Sequence, residues 1–187
     1  MGRSIMHQLH AIPEENRTAN EQLLIETAVW IHGLAPWRDF ATLTFVAAYG
    51  VEAARKAYER FMNAQLPTVS HFYAIEPNPS RDGHHVHAIW TDPIVKRKTC
   101  WSEWFTKYGR ARIEPIGWRV QKDRGGYLYD SDGLVRGRSL GADTSDSLLN
   151  VADYVAKYLI KDRSWWDVRL KGGHHPNAHV QEALVLR

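Results

Sequence analysis

Cysteine is nearly absent from this chain of 187 residues, since Cys100 is the only one. A single cysteine excludes an intrachain disulfide and a zinc site built from cysteine pairs. The fold must therefore depend on its own hydrophobic core, and we expect a cytoplasmic protein. Hydrophobic residues make up 44% of the chain and charged residues 24%, a balance typical of one compact domain and not of a disordered chain.

Long apolar runs are also missing. Met1 to Pro13 contains no apolar segment of the kind found in signal peptides. The most apolar early stretch, Leu23 to Leu34, is interrupted by Glu26 and His32. We therefore expect neither an export signal nor a membrane span. The chain has no internal repeat, and residues 1–187 read as one domain with no room for a fused helicase.

The chain has little excess of either charge. It contains 24 Lys and Arg and 21 Asp and Glu, which gives a net charge of +3. That excess slightly favours an anionic partner such as a nucleic acid. Basic clusters could contact phosphates and nearby Trp rings could stack on bases, although each cluster alone is more readily explained as a solvated surface. The predicted DNA-binding residues are Lys96, Arg97, Lys98, Arg110, Arg112, Arg119, Lys122 and Arg124, and the candidate rings are Trp101, Trp104 and Trp118.

Alternation and helical periodicity predict a series of strands and helices. The predicted helices are Asn20 to His32, Val51 to Leu66, Ser102 to Tyr108 and Thr144 to Asp162. The predicted strands are Phe40 to Val46, His71 to Glu76, His84 to Trp90, Arg112 to Val120, Trp165 to Leu170 and His179 to Leu186. Pro115 should restrict its strand to a sheet edge or a bulge, and Gln121 to Thr144 reads as a basic surface loop. A turn-rich connector before His84 indicates a hairpin, and the whole order predicts an α+β domain with a mainly antiparallel sheet and flanking helices.

Two histidines on one predicted strand are candidate metal ligands. His85 and His87 are two residues apart, so both side chains point to the same face, while Val86 faces a helix layer. If the preceding strand pairs antiparallel, Glu76 completes a set of three ligands. Two imidazoles and a carboxylate suit Mg²⁺ or Mn²⁺ as well as harder transition ions, and they leave positions for water or phosphate. A His-x-His pair taken alone is more readily interpreted as two surface histidines on a half-exposed strand.

The predicted helix near the end of the chain carries two tyrosines. Tyr154, Lys157, Tyr158 and Lys161 are spaced i, i+3, i+4 and i+7, so they share one exposed stripe. A phenol has a pKa of about 10 and is a poor nucleophile unless a metal ion or a cation stabilises the phenolate. A lysine one turn away supplies such a charge. The alternative is an ordinary amphipathic helix with solvated lysines and half-buried tyrosines.

Three segments, in this order, resemble the motifs of the HUH endonucleases: Ala41-Thr-Leu-Thr-Phe45, His85-Val-His87 and Tyr154-Val-Ala-Lys157-Tyr158-Leu-Ile-Lys161. The resemblance is to rolling-circle replication initiators of plasmids and single-stranded DNA phages, and it covers Asp39 to Asp162. It implies a ferredoxin- or RRM-like fold with a central sheet of about five antiparallel strands. It also implies that His85 and His87 bind a divalent metal, with Glu76 similar to the third ligand of some branches.

The same resemblance implies a reaction. Tyr158 with Lys161, and Tyr154 with Lys157, match the family's Tyr-x-x-Lys pattern of the nucleophile. One Tyr would cleave single-stranded or hairpin DNA at an origin, leaving a 5′-phosphotyrosine link and a free 3′-hydroxyl for a polymerase. Tyr158 is the first choice, and the doubled Tyr resembles phage-type initiators in which two tyrosines alternate. Attack by the 3′-hydroxyl would rejoin the strands, so the nicking and joining steps would need no nucleotide cofactor. A host helicase and polymerase would act as separate partners.

Two other functions stay open. An HUH transposase has the same site and differs in the DNA hairpin or terminus that it reads. A noncatalytic single-strand binding module on an RRM-like sheet would leave the histidines without a role in chemistry. The chain is less similar to conjugative relaxases, because relaxases place the nucleophilic Tyr near the N-terminus, whereas the first Tyr here is Tyr49.

Overall fold

The computed structural model describes residues 13–79, 81–91, 97–116 and 165–171, and between residues 118 and 139 it describes the backbone of four short strands. The predicted helix from Thr144 to Asp162 and the predicted strand from His179 to Leu186 lie outside the described residues.

The described part of the chain contains three α-helices: α1 (Ala19–Leu34), α2 (Val51–Gln65) and α3 (Arg97–Lys107). A capping box starts α1, because the Thr18 hydroxyl accepts the Glu21 N–H while the Glu21 carboxylate accepts the Thr18 N–H. The first two helices confirm the predicted ones. The third begins at Arg97, earlier than the predicted Ser102. No helix within the described ranges is long and apolar enough to cross a bilayer.

The strands are β1 (Asp39–Thr44), β2 (His71–Pro77), β3 (His84–Trp90), β4 (Ala111–Pro115), β5 (Trp118–Val120), β6 (Lys122–Asp123), β7 (Gly126–Tyr127), β8 (Gly137–Ser139) and β9 (Trp165–Arg169). Five of them form one sheet in the order β4-β1-β3-β2-β9, in which every neighbouring pair is antiparallel. The predicted α+β class, with an antiparallel sheet and flanking helices, is confirmed. Strands β6, β7 and β8 fall in the segment predicted as a loop, so that part of the prediction is wrong.

One face of the sheet, which we name the α2 face, is covered by α2 and α3. Alternate residues of β1 and β3, including Leu43, Val86 and Ala88, pack there against Tyr58 of α2 and Trp104 of α3. The prediction that Val86 faces a helix layer is therefore confirmed. Burial of these rings and branched side chains contributes roughly 1.5–3 kcal/mol for each large side chain.

The opposite face, which we name the α1 face, presents Phe40, Phe72 and Ile89 to Trp30 and Ile31 of α1. Phe40 and Ile89 are register partners near the beginning of β1 and the end of β3. The apolar contacts with α1 are therefore at one end of this face. Toward the other end, the same alternation brings polar and ionisable side chains onto the α1 face, and these form the candidate site.

Strand β4 is an edge of the sheet, which confirms the restriction predicted from Pro115. The prediction of one strand from Arg112 to Val120 is wrong, because β4 ends at Pro115 and β5 pairs with β8 in a separate small sheet. Proline has no N–H with which to continue a ladder. The next residue, Ile116, lies in a turn, and its N–H donates to the Arg38 carbonyl at 2.8 Å.

The predicted hairpin is formed by β2 and β3, which pair from His71 opposite Trp90 to Pro77 opposite His84. Its connector is closed by the Asn78 N–H, which donates to the Gly83 carbonyl at 2.9 Å. Gly83 has φ +88°, and a Cβ at this position would lie 2.7 Å from the Ala48 Cα, so only glycine fits. The connector is thereby packed against the loop that follows β1.

A buried histidine lies in the core at the start of β2. His71 is 4% exposed and packs beside the rings of Tyr58 and Tyr73. Its Nδ1 lies 3.3 Å from the Val69 carbonyl oxygen, whereas its Nε2 is buried with no hydrogen-bond partner among the described residues. Burial lowers the pKa of His71 to about 4, so the imidazole is neutral in the folded protein at neutral pH.

We expect His71→Phe to reduce the acid sensitivity of the fold. An imidazole in an unfolded chain has a pKa of about 6.5. Between about pH 6.5 and pH 4, His71 is therefore protonated in the unfolded state and neutral in the folded state. Wild-type stability should therefore fall as the pH falls through this window, by up to about 3 kcal/mol from this one group. Phe keeps the ring and removes the titration.

Urea unfolding of both proteins between about pH 7 and pH 4 measures this effect as a widening difference in unfolding free energy. Tyr58→Phe is the control in the same cluster. It removes the hydroxyl that accepts the Trp90 Nε1–H at 3.0 Å, and should cost about 1 kcal/mol equally at each pH. Parallel stability curves for wild type and His71→Phe would contradict the prediction.

Candidate metal centre

Two adjacent strands bring the three predicted ligands to one place on the α1 face. Glu76, near the end of β2, is the register partner of His85 in β3, and His87 follows two residues later on the same side of β3. All three side chains are buried, with exposures of 7% for Glu76, 8% for His85 and 3% for His87. The antiparallel pairing on which the sequence prediction depended is present.

The ligand atoms of these residues converge. His85 Nε2 lies 2.7 Å from Glu76 Oε1, and His87 Nε2 contacts the same oxygen. The two Nε2 atoms are 2.9 Å apart, and one ligand atom from each residue lies within 4.8 Å of those of the others. Glu76, His85 and His87 therefore lie close enough together to bind a metal ion.

The charge state of the cluster fits a cation. Burial by itself raises the pKa of Glu76, but hydrogen bonds with His85 and His87 outweigh it and bring this pKa to about 2. Burial lowers the pKa of His87, partly opposed by Glu76. At neutral pH the cluster thus offers a carboxylate and a neutral His87, the forms in which these side chains bind metals. Two imidazole lone pairs and a carboxylate oxygen at such short separations repel one another unless a proton or a cation lies between them.

The other ring nitrogen of each histidine has its own partner, which the sequence did not indicate. His85 Nδ1 lies 3.1 Å from Asn78 Oδ1 in the hairpin connector. His87 Nδ1 lies 3.2 Å from Thr42 Oγ1 in β1. The Phe40 ring stacks on His87, with 5.7 Å between centroids and 8° between planes. The alternation of β1 puts Phe40 and Thr42 on one face of that strand, but only the pairing of β1 with β3 brings this face beside His87. Asn78 lies in a turn with no periodicity.

Part of the predicted basic surface lies beside this cluster. Arg112 in β4 is the register partner of Thr42 and forms an ion pair with Glu114. Arg110 is exposed, and its carbonyl oxygen accepts the Thr44 N–H at 2.7 Å. These two arginines therefore border β1, the strand that contacts His87.

Other predicted residues lie elsewhere. Arg97 on α3 is ion-paired with Asp39 at 3.3 Å. Asp39 begins β1 at the end farthest from the cluster. Lys98 follows Arg97 and lies on the exposed side of α3. The expectation that Trp104 is an exposed ring is wrong, because it is fully buried in the core, where α3 packs on the sheet. Trp101 is half-buried on the same helix.

Several predicted residues lie in parts of the chain that the structure does not describe, or describes only as backbone. Lys96, Arg124 and the four residues of the tyrosine stripe, Tyr154, Lys157, Tyr158 and Lys161, lie outside the described residues. Arg119 and Lys122 belong to short strands of which only the backbone is described, and so does Trp118. His84 is not part of the cluster, because its Nδ1 lies 2.9 Å from the Tyr49 carbonyl oxygen.

Comparisons of the chain with protein-family models, with curated proteins and with solved structures gave no significant match. A functional assignment therefore depends on the site itself and on the order of the sequence motifs around it.

Proposed function

We propose that this chain is a metal-dependent endonuclease of the HUH type that nicks and rejoins single-stranded DNA and initiates rolling-circle replication of a plasmid or phage. The observation that carries the proposal is the buried Glu76, His85 and His87 cluster on two antiparallel strands. A buried carboxylate between two imidazoles is costly as a purely structural arrangement, because desolvation opposes it. A function of these three residues as ligands of a cation explains why such an arrangement is present.

The cluster would hold Mg²⁺ or Mn²⁺ through Glu76 Oε1 and the Nε2 atoms of His85 and His87. A divalent ion bound there supplies Lewis-acid polarisation of the scissile phosphate. Glu76 contributes the negative charge that a hard divalent cation favours, and the imidazoles favour Mn²⁺ over Mg²⁺. Arg110 and Arg112 would attract the DNA backbone to the same side of the sheet.

The covalent step is assigned to the tyrosine stripe. The Tyr158 phenol loses its proton and its oxygen attacks the phosphorus, forming a P–O bond, while the bond from phosphorus to the 3′-oxygen breaks. The 3′-oxygen takes up a proton and leaves as a hydroxyl, so the DNA keeps a 5′-phosphotyrosine link. Attack by a 3′-hydroxyl reverses the step and rejoins the strand. Lys161 and Lys157 stabilise the phenolate by charge, and Tyr154 is the second nucleophile.

The test uses single-stranded DNA oligonucleotides of random and hairpin sequence, labelled at the 3′ end in one pool and at the 5′ end in another. With Mn²⁺, the 3′ label is expected to stay on the protein after denaturation, while the 5′ label appears on shorter DNA with a free 3′-hydroxyl. Chelation should abolish both products. Absence of any adduct while calorimetry shows bound Mn²⁺ would refute the proposal, and DNA binding without cleavage would indicate a noncatalytic binding module.

A further inference from the structure

We propose that Asn78 and Thr42 are positioning residues of the metal centre, which hold the rings of His85 and His87 so that both Nε2 atoms can bind a metal ion together with Glu76. The inference rests on the metal centre of the proposed function and not on its nicking chemistry. It assigns a role to two neutral side chains that come from segments on either side of β3. Outer partners of this kind orient ligating histidines and tune metal affinity.

Asn78 determines which nitrogen of His85 carries a proton. Its Oδ1 lies 3.1 Å from His85 Nδ1, and its Nδ2 donates to the Asp82 carbonyl at 3.4 Å. The second contact fixes the orientation of the amide, because the carbonyl of Asp82 can only accept. An amide oxygen also only accepts, so His85 must carry a proton on Nδ1 to bond with it. The lone pair on Nε2 is then available to a metal ion bound beside Glu76.

The backbone around Asn78 keeps its side chain in place. Its N–H donates to the Gly83 carbonyl at 2.9 Å, which closes the hairpin connector. Gly83 packs directly on the backbone of Ala48 with its positive φ. The neighbouring His84 ring lies against the Tyr49 carbonyl. The connector is thus held at both ends, which is what an orienting residue requires.

Thr42 has the same role for His87 from the other side. Its hydroxyl lies 3.2 Å from His87 Nδ1, and the stacked Phe40 ring restricts rotation of the imidazole. A hydroxyl can donate or accept, so Thr42 bonds His87 in either tautomer. When Nε2 is a ligand, Nδ1 carries the proton and the hydroxyl accepts it. Thr42 can therefore bond to the tautomer of His87 that a metal ion requires, without a change of rotamer.

Metal affinity of the full chain tests both residues. Titration calorimetry with Mn²⁺ alone is expected to show about ten- to hundredfold weaker binding for Asn78→Leu and for Thr42→Val. Thr42→Ser keeps the hydroxyl and Asn78→Asp keeps an acceptor, so both should retain most of the affinity. Matched controls are Thr106→Val, on the exposed side of α3, and Asn63→Leu, on the exposed side of α2. Both controls should bind Mn²⁺ like wild type.

A second measurement separates positioning from loss of folding. In the metal-free protein, long-range ¹H–¹⁵N spectra should show a proton on His85 Nδ1 in wild type and in Asn78→Asp, and a loss of that proton in Asn78→Leu, with circular dichroism unchanged. Unaltered ring-nitrogen shifts together with wild-type Mn²⁺ affinity in Asn78→Leu and Thr42→Val would overturn the inference. A wild type that binds no Mn²⁺ would overturn it as well. If these affinity results hold and no DNA adduct forms, only the nicking function fails.

Discussion

Replacing Glu76 by Gln should weaken Mn²⁺ binding more than a hundredfold and reduce the metal-dependent DNA adduct to the level seen with chelator. The change removes the negative charge from the only carboxylate of the cluster while keeping the size of the side chain. The new amide also offers N–H groups to the two imidazoles, so it competes with a cation for their lone pairs. Because changes in outer partners already cost about 10–100-fold in affinity, loss of an anionic ligand should cost more.

Unfolding experiments measure this effect without DNA. Mn²⁺ at about one hundred times its Kd should raise the unfolding free energy of wild type by about 2.7 kcal/mol, because the ion binds the folded state alone. Glu76→Gln should gain almost nothing at the same concentration. The control is Glu103→Gln, a partly exposed residue that is ion-paired with Lys107 on α3. If Glu76→Gln is stabilised by Mn²⁺ as much as wild type, the ion binds elsewhere and the assignment of the centre is wrong.

The metal cluster could be predicted because it depends on two regular features of strands. Side chains alternate with a period of two, which puts His85 and His87 together. A short turn-rich connector forces antiparallel pairing, and this places Glu76 opposite His85. The same regularity identified Val86 as a core residue. Neither inference needed any knowledge of the other strands of the sheet.

The partners that surround the cluster were not predicted, since they depend on the order of strands and not on any one strand. Thr42 reaches His87 only because β1 lies beside β3, and strand order does not follow from local patterns. Asn78 lies in a connector whose shape depends on its packing against the loop near Ala48.

Trp104 shows a different kind of error, because its core position was present in the sequence. Cys100 and Trp104 are spaced i, i+4 and are both buried on α3. That spacing is the usual sign of an inward helix face. The predicted helix begins at Ser102 and excludes Cys100, so it does not contain the i, i+4 pair that marks the buried face of α3.

Replacing Tyr154 and Tyr158 together by Phe should abolish the covalent DNA adduct, while Mn²⁺ affinity and DNA binding remain. Phe keeps the aromatic ring and lacks the phenolic oxygen, so no P–O bond to the protein can form. The metal ligands are on β2 and β3, in another part of the sequence, and are unchanged. This pair of outcomes separates a missing nucleophile from a damaged metal centre.

The single variants then assign the order of attack. Tyr158→Phe should eliminate nearly all adduct on a first substrate if Tyr158 is the first nucleophile, whereas Tyr154→Phe should preserve that adduct and lose only transfer to a second strand. Lys161→Met should slow adduct formation with Tyr158 intact, because the phenolate loses the nearby positive charge. Tyr127→Phe, in β7 and outside the stripe, is the control for the loss of a phenol. An unchanged adduct in the double variant would show that the nucleophile is another residue, even if the metal centre is correct.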